Sequence, residues 1–243
     1  MSQPLHPVCV VPCAGSGQRA RTALPKQYQP VAGEPMVMHT LKALSQVQQL
    51  ASIHVIVTPG DAVLQGHLSR AAWDVSRIRV LAAGGATRAL SVQAGLQALL
   101  EQGLDAQTWV LVHDAARCLI VPADVRRLIE LGCNDPVGAL LARPMSDTVK
   151  RAQTSASPPR VSHTEDREGL WLAQTPQMFR LGQLATAYAQ AGTEVTDEAS
   201  AMQAMGLQPL LVASEGLNLK VTYPQDFEWA SAWLHRHTHK DAS

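Results

Sequence analysis

Apolar residues recur along the chain in two alternating rhythms. Short runs rich in β-branched residues, almost continuously apolar, occupy residues 7–11, 52–57, 77–81, 109–113 and 137–141. Runs of that kind suit strands covered on both faces. Between them, residues 36–46, 62–72, 87–101 and 123–131 carry apolar positions at helical spacing, as in the stripe Val125, Leu128 and Ile129. Strand and helix in alternation predict an α/β fold, a doubly wound and mostly parallel sheet with right-handed crossovers. In such a sheet a ligand lies at the carboxyl ends of the strands.

The rhythm breaks after Ala142. Residues 143–177 are polar and turn-rich around Pro158-Pro159, with extended pieces at 147–152 and 160–164. They predict a projecting β-hairpin arm, residues 145–171. An arm that buries little against its own domain is commonly stabilised by a second subunit; the alternative is a loose surface insertion, which the Ser155-Ala156-Ser157 tip fits. Beyond the arm the pattern predicts a helix at 181–191, a helix start at Thr196-Asp197-Glu198, a strand pair across 210–221 and a closing helix over 224–237. A length of 243 residues with 46% hydrophobic content fits one domain, 1–243, with the arm as an excursion.

Twenty basic and twenty acidic residues cancel. No overall field therefore draws in nucleic acid or an anionic membrane, and any phosphate binding must be local. The four cysteines, Cys9, Cys13, Cys118 and Cys133, contain no C-x-x-C pair and read as reduced thiols. With neither a leader-like N-terminus nor a bilayer-length apolar run, a cytoplasmic protein without a membrane partner is expected.

Candidate chemistry concentrates just after the first predicted strand, at Pro12-Cys13-Ala14-Gly15-Ser16-Gly17-Gln18-Arg19 and Pro25-Lys26-Gln27. Glycines here let several backbone N–H groups converge on phosphate oxygens, and Arg19 and Lys26 add charge. Gly15 to Ala20 also fits the dinucleotide fingerprint G-x-G-x-x-G/A. That motif needs an unbroken helix and an acidic residue about 20 positions on. Pro25 cuts the helix and 31–35 reads as a turn, so a nicotinamide oxidoreductase is set aside. A Walker loop is excluded because no Gly-Lys-Ser/Thr follows. Asp114 and Arg117 sit in His113-Asp114-Ala115-Ala116-Arg117, at the carboxyl end of another predicted strand.

These blocks are joined, in order, by Gly84-Gly85 with Arg88 and Ser91, Asp147-Thr148-Val149-Lys150, Asp166-Arg167, Leu170-Trp171, Thr175-Pro176-Gln177, Thr196-Asp197-Glu198-Ala199-Ser200 and Asn218-Leu219-Lys220-Val221-Thr222. Together they closely resemble the 2-C-methyl-D-erythritol 4-phosphate cytidylyltransferase family, nearly from end to end. The resemblance implies a Rossmann-like nucleotidyltransferase fold and transfer of CMP from CTP to methylerythritol phosphate in the non-mevalonate isoprenoid pathway. It also implies a Mg2+ requirement, with the ion held mainly by CTP phosphates and Asp114 as a possible further ligand, and a homodimer formed by exchange of arms. By the same resemblance, Arg19 and Lys26 stabilise transition-state charge while Arg167 and Lys220 align the attacking phosphate. Ala14, Gly15, Ser16, Gly17, Gly84, Gly85, Ser91 and Asp114 correspond to the nucleotide site, and Arg117, Thr148 and Thr175 to contacts with the acceptor.

Departures from the family pattern are Cys13 in place of alanine, Cys118 in place of a proline whose loss could loosen the turn, and Ala86-Thr87 where acidic residues are usual. No appended cyclodiphosphate synthase domain is expected.

Each residue also has a plainer reading. Lys26 and Arg19 could be solvated cations, Asp114 an N-cap, and Arg167 the partner of Asp166 or Glu168 in a surface pair. On spacing alone Lys220 is ambiguous. Thr196-Asp197-Glu198 reads first as a helix start and Trp171 as a packing anchor at the base of the arm. His235, His237 and His239 do not align on one helix face and read as a solvated tail. Two other functions stay open: a sibling enzyme using another polyol phosphate such as ribitol 5-phosphate, and a non-catalytic nucleotide-binding module.

Overall fold

The computed structural model describes residues 6–15, 25–153, 157–192 and 195–238. Ser16, Gly17, Arg19 and His239, each named above, lie outside these residues, as do Ser155 and Ala156 of the arm tip.

In chain order the elements begin with β1 (Val8–Pro12), a small hairpin of β2 (Pro30–Val31) and β3 (Glu34–Pro35), α1 (Met36–Ser45), β4 (Ser52–Ile56), α2 (Val63–Leu68) and β5 (Ile78–Leu81). They continue with α3 (Arg88–Glu101), β6 (Trp109–Val112), α4 (Pro122–Gly132), β7 (Ala139–Pro144), and the arm hairpin of β8 (Lys150–Ala152) and β9 (Val161–Thr164). The chain closes through β10 (Trp171–Arg180), α5 (Leu181–Ala191), α6 (Glu198–Ala204), β11 (Leu210–Ala213) and α7 (Pro224–Thr238).

Seven strands form the main sheet in the order β11-β7-β10-β6-β1-β4-β5. Every neighbouring pair is parallel except those made by β10, which runs antiparallel to both β6 and β7. Alternate residues serve opposite faces: Cys9 and Val11 join the core beneath α1 and α4, whereas Val8 and Val10 join the core beneath α3 and α5. Trp109 and Leu111 divide from Val110 and Val112 in the same way. Two-sided burial is why these strands read as unbroken apolar runs.

Three expectations are corrected. The region 210–221 holds β11 and no partner strand, because its later amides are claimed by side chains. Asp124 accepts from the N–H groups of Glu215 (3.2 Å) and Gly216 (3.0 Å), and Asp226 accepts from those of Thr222 (2.7 Å) and Tyr223 (2.8 Å). Asn218, at φ +31°, turns the loop between these anchors. The helix expected over 62–72 ends at Leu68, where the N–H groups of Arg70 and Ala71 bond three residues back and tighten the chain into turns. Finally, the turn-rich stretch 143–177, read with the arm, gives its last residues to β10, a central strand of the main sheet in spite of Pro176. The pairing of β10 with β7 shifts register between Ala173 and Gln177, so Pro176 falls where the ladder is already interrupted.

Candidate active site

Loops at the carboxyl ends of the parallel strands build one trough from three adjoining hollows. The first, about 600 Å³, lies between Gly84-Gly85-Ala86 after β5 and Thr58 to Asp61 after β4, and reaches Gly15 and Gln27. Gly15 and Gln27 also line the second, which is bounded by Lys26, Arg88, Asp114 and Lys220. The third shares Arg88, Asp114 and Lys220 with the second and extends to Arg117, Gln174, Thr175, Gln177, Thr196 and Asp197.

Close backbone approach sets the shape of the first hollow. A Cβ on Gly84 would stand 2.2 Å from the Ala14 Cβ and 2.8 Å from the Val57 carbonyl oxygen, so only glycine fits there. Gly15, at φ +138°, has open space around it. Gln27 ties this loop down, its Nε2 donating to the carbonyls of Cys13 (2.8 Å) and Gly15 (3.3 Å). Ser91 is fully buried; its hydroxyl donates to Thr87 O (2.9 Å) and accepts from the Gly85 N–H (3.1 Å). It therefore holds the glycine turn onto α3 from behind, rather than facing the hollow.

Charge is organised around Asp114. Its Oδ1 accepts from Arg88 Nε at 2.6 Å and its Oδ2 pairs with Lys220 Nζ at 2.7 Å. Burial raises the carboxyl pKa, but Arg88 and Lys220 outweigh it and hold the group well below the usual carboxylate range. Arg88 also grips Glu198 through both terminal nitrogens, at 2.8 and 3.1 Å. Lys26 Nζ donates to Val221 O at 2.8 Å, beside Lys220 in sequence.

Arg117 donates to Asn218 O (2.7 Å) and Ala173 O (3.3 Å), and the Asn218 side chain donates to Gln174 Oε1 (3.0 Å) and Thr175 O (2.9 Å). The irregular stretch of β10 aims Thr175 inward, as strand irregularities beside functional sites often do. The turn that Cys118 might have loosened is closed, with Arg117 N–H donating to Asp114 O at 3.0 Å.

Thr175 Oγ1 accepts from the Asp114 N–H (3.0 Å) and lies 3.1 Å from His113 Nδ1, while His113 Nε2 lies 3.3 Å from Arg117 O. Burial lowers the His113 pKa to about 4. The ring is thus neutral at pH 7, with Nε2–H donating to Arg117 O and Nδ1 accepting from the Thr175 hydroxyl. Buried His54 is likewise lowered to about 4, by burial and then by Arg79. Both groups refuse a proton that the unfolded chain binds, so they contribute stability fully present above about pH 6.5 and lost as pH falls towards 4, at most about 3 kcal/mol each. Urea unfolding at pH 7.5 and 4.5 should show a clearly lower midpoint at the acid value; equal midpoints would contradict it.

Two sequence-named residues stand apart. Thr148 and Arg167 are exposed on the arm and line none of the three hollows. The Arg167 guanidinium donates to Ser146 O rather than pairing with Asp166 or Glu168. Trp171 is not a buried anchor: it is 37% exposed between Leu170 and Leu172, at 41% and 47%. Among the described residues no cluster of three or more His, Cys, Asp or Glu could hold a metal, and no helix is long and apolar enough to cross a membrane. The four thiols are free, and burial raises Cys13 and Cys118 to about 12, so both stay protonated.

Residues 8–236 match the family described as 2-C-methyl-D-erythritol 4-phosphate cytidylyltransferase. The chain belongs to this family. It is therefore a cytidylyltransferase, one of the nucleotidyltransferases. Over 230 residues it is 46% identical to the 2-C-methyl-D-erythritol 4-phosphate cytidylyltransferase of Paraburkholderia phytofirmans, covering 93% of this chain and 95% of that one. It is 52% identical over 225 residues to the bifunctional enzyme IspD/IspF of Albidiferax ferrireducens, and there the match spans 93% of this chain but only 52% of the relative. A crystal structure of a 4-diphosphocytidyl-2C-methyl-D-erythritol synthase superposes with a TM-score of 0.82 at 35% identity, covering 96% of this chain and all of the other. The Francisella tularensis 2-C-methyl-D-erythritol 4-phosphate cytidylyltransferase gives 0.75 at 30%, covering 93% and 98%.

Sequence reasoning left Asn218 and Glu198 without a role in the enzyme's site. An Asn ahead of Lys220 was a usable signal, since Asn tolerates positive φ. Glu198 offered only a helix start, which it is: Asp197 caps α6 in a capping box with Ser200.

Proposed function

We propose that the trough transfers the cytidylyl group of CTP to the phosphate of 2-C-methyl-D-erythritol 4-phosphate, releasing pyrophosphate and forming 4-diphosphocytidyl-2-C-methyl-D-erythritol. One observation carries the assignment of ends: Asp114, Arg88 and Lys220 stand where the hollow beneath Gly15 and Lys26 opens into the one bounded by Arg117 and Thr175. A triphosphate laid along the second hollow and an acceptor phosphate in the third meet at that junction.

The cytosine lies against Gly84 and Gly85, where Ser91 keeps the turn tight. Backbone groups of Ala14 and Gly15, continued by Ser16 and Gly17, cradle the phosphates, and Asp114 faces the ribose. An acceptor phosphate oxygen forms a bond to the α-phosphorus, and the bond from α-phosphorus to the β-phosphate oxygen breaks, its electron pair leaving with pyrophosphate. Because the nucleophile is already an anion, no general base is required. Alignment and charge compensation by Arg19, Lys26 and Lys220 carry the rate.

When bound, Mg2+ would be held mainly by the triphosphate oxygens and would spread their charge. The chain suits a metal carried in this way, since Asp114 is the one carboxylate among the described residues bordering the second hollow and both its oxygens already have cationic partners. Arg167 and Thr148 act from the arm of the second protomer of a homodimer, in the cytoplasm, where the thiols stay reduced. Supplying CTP, Mg2+ and either methylerythritol phosphate or ribitol 5-phosphate, and following pyrophosphate release, tests the reading. Strong preference for methylerythritol phosphate is expected; preference for ribitol phosphate overturns the acceptor, and nucleotide binding without release overturns catalysis.

A further inference from the structure

Behind the trough runs a line of alternating charges from core to pocket. Glu198, 0% exposed at its side chain, is bound by both terminal nitrogens of Arg88, and the Tyr188 hydroxyl donates to its Oε1 at 2.7 Å. Arg88, 25% exposed, gives only its Nε to Asp114, and Asp114 holds the 45% exposed Lys220. Arg88 comes from the first turn of α3, Glu198 from the first residue of α6 and Tyr188 from α5, so three helices converge on one guanidinium.

Glu198 borders none of the trough's hollows, and neutrality does not explain it. Arg88, Asp114 and Lys220 would carry one surplus positive charge without it, which a site for two anionic substrates tolerates. A fully buried carboxylate is weak evidence of stabilisation, since an apolar replacement often serves as well. What Glu198 does change is the direction of the Arg88 fork. An unrestrained guanidinium prefers to take both oxygens of a carboxylate in parallel. Turned on Asp114 in that way, Arg88 would occupy Oδ2, the oxygen that now holds Lys220.

We infer that Glu198 is a positioning residue for cytidylyl transfer: by engaging the terminal nitrogens of Arg88 it restricts Arg88 to one oxygen of Asp114 and leaves the other to set Lys220 against the acceptor phosphate. The inference rests on the proposed reaction, and Glu198 itself touches neither substrate. Its signature is selective. Loss should fall on use of the acceptor and not on CTP, and it should vanish when Arg88 is already absent.

Glu198→Gln is expected to lower kcat/KM for methylerythritol phosphate about tenfold, leaving CTP affinity within about twofold. Arg88→Lys keeps a cation near Asp114 but cannot take both of its oxygens, so adding Glu198→Gln in that background should leave acceptor use where Arg88→Lys alone puts it. In an Arg88→Ala background, adding Glu198→Gln should cause no further loss, because the carboxylate then has nothing to orient. The inference is overturned if Glu198→Gln costs the same factor again in the Arg88→Ala or the Arg88→Lys background, or if Glu198→Gln lowers the melting temperature without changing kcat/KM. Wild-type protein in the same assay separates the two claims: inactivity there refutes the proposed reaction, whereas an active wild type with unaffected variants refutes only the role of Glu198.

Discussion

Two inactive variants, Lys26→Ala and Arg167→Ala, are expected to restore activity when their subunits are mixed, to about a quarter of the wild-type level at equal proportions. Random pairing makes half of the dimers mixed. If arms are exchanged, each mixed dimer holds one trough with an intact Lys26 completed by an arm with an intact Arg167, and a second trough lacking both. The expectation follows from where the residues lie. Arg167 and Thr148 are exposed on a hairpin that borders none of the trough's hollows within its own chain. Beside the hairpin, Leu170, Trp171 and Leu172 form a consecutive exposed apolar run, the type of surface that another subunit covers. Co-expression of the two variants with different tags, isolation of the mixed species and measurement of pyrophosphate release decide the matter. Absence of recovery in verified mixed dimers would mean that each arm serves its own trough, or none.

Much of the architecture was legible because strands buried on both faces have a plain signature. β1, β4, β5, β6 and β7 all fall within or beside the continuous apolar runs, and α1, α3, α4 and α5 follow their helical stripes. β10 was hidden by Pro176, Gln174 and Gln177, residues that speak against a central strand. They are tolerated because the ladder with β7 is interrupted there and because buried Gln177 is satisfied, accepting from the Ala199 N–H at 2.7 Å and donating to Asp197 Oδ2 at 2.9 Å. The stretch 214–221 reads as a strand because its apolar residues resemble one. Its conformation is set by Asp124 and Asp226, the former distant in sequence.

The site was legible unevenly. Gly15, Gly84 and Lys26 announce themselves through glycine turns and nearby cations. Lys220 does not, since only a tertiary contact joins it to Asp114, 106 positions earlier. Ser91 is legible through its place after the glycine pair, and the structure shows it bracing that turn. Glu198 lies furthest from sequence reasoning, because its importance depends on which way Arg88 points.

Lys26→Ala should slow bond formation by about 10²–10³, the usual effect of removing one group aimed at developing charge. In the free protein the ammonium is held by Val221 O at 2.8 Å, at the wall of the central hollow and close to Lys220 in the chain. CTP has other partners in its ground state, namely the backbone of the glycine loop and Mg2+, so binding should depend little on this lysine. Charge on the leaving pyrophosphate grows only as the bond to the α-phosphorus breaks, and that is where a fixed cation lowers the barrier. Rapid-quench single turnover with saturating CTP, Mg2+ and methylerythritol phosphate, paired with calorimetric titration of CTP, measures both effects on the same variant. The account predicts a rate lowered by two to three orders of magnitude with a CTP dissociation constant changed by less than about threefold; equal losses in rate and affinity, or an unaltered rate, would contradict it.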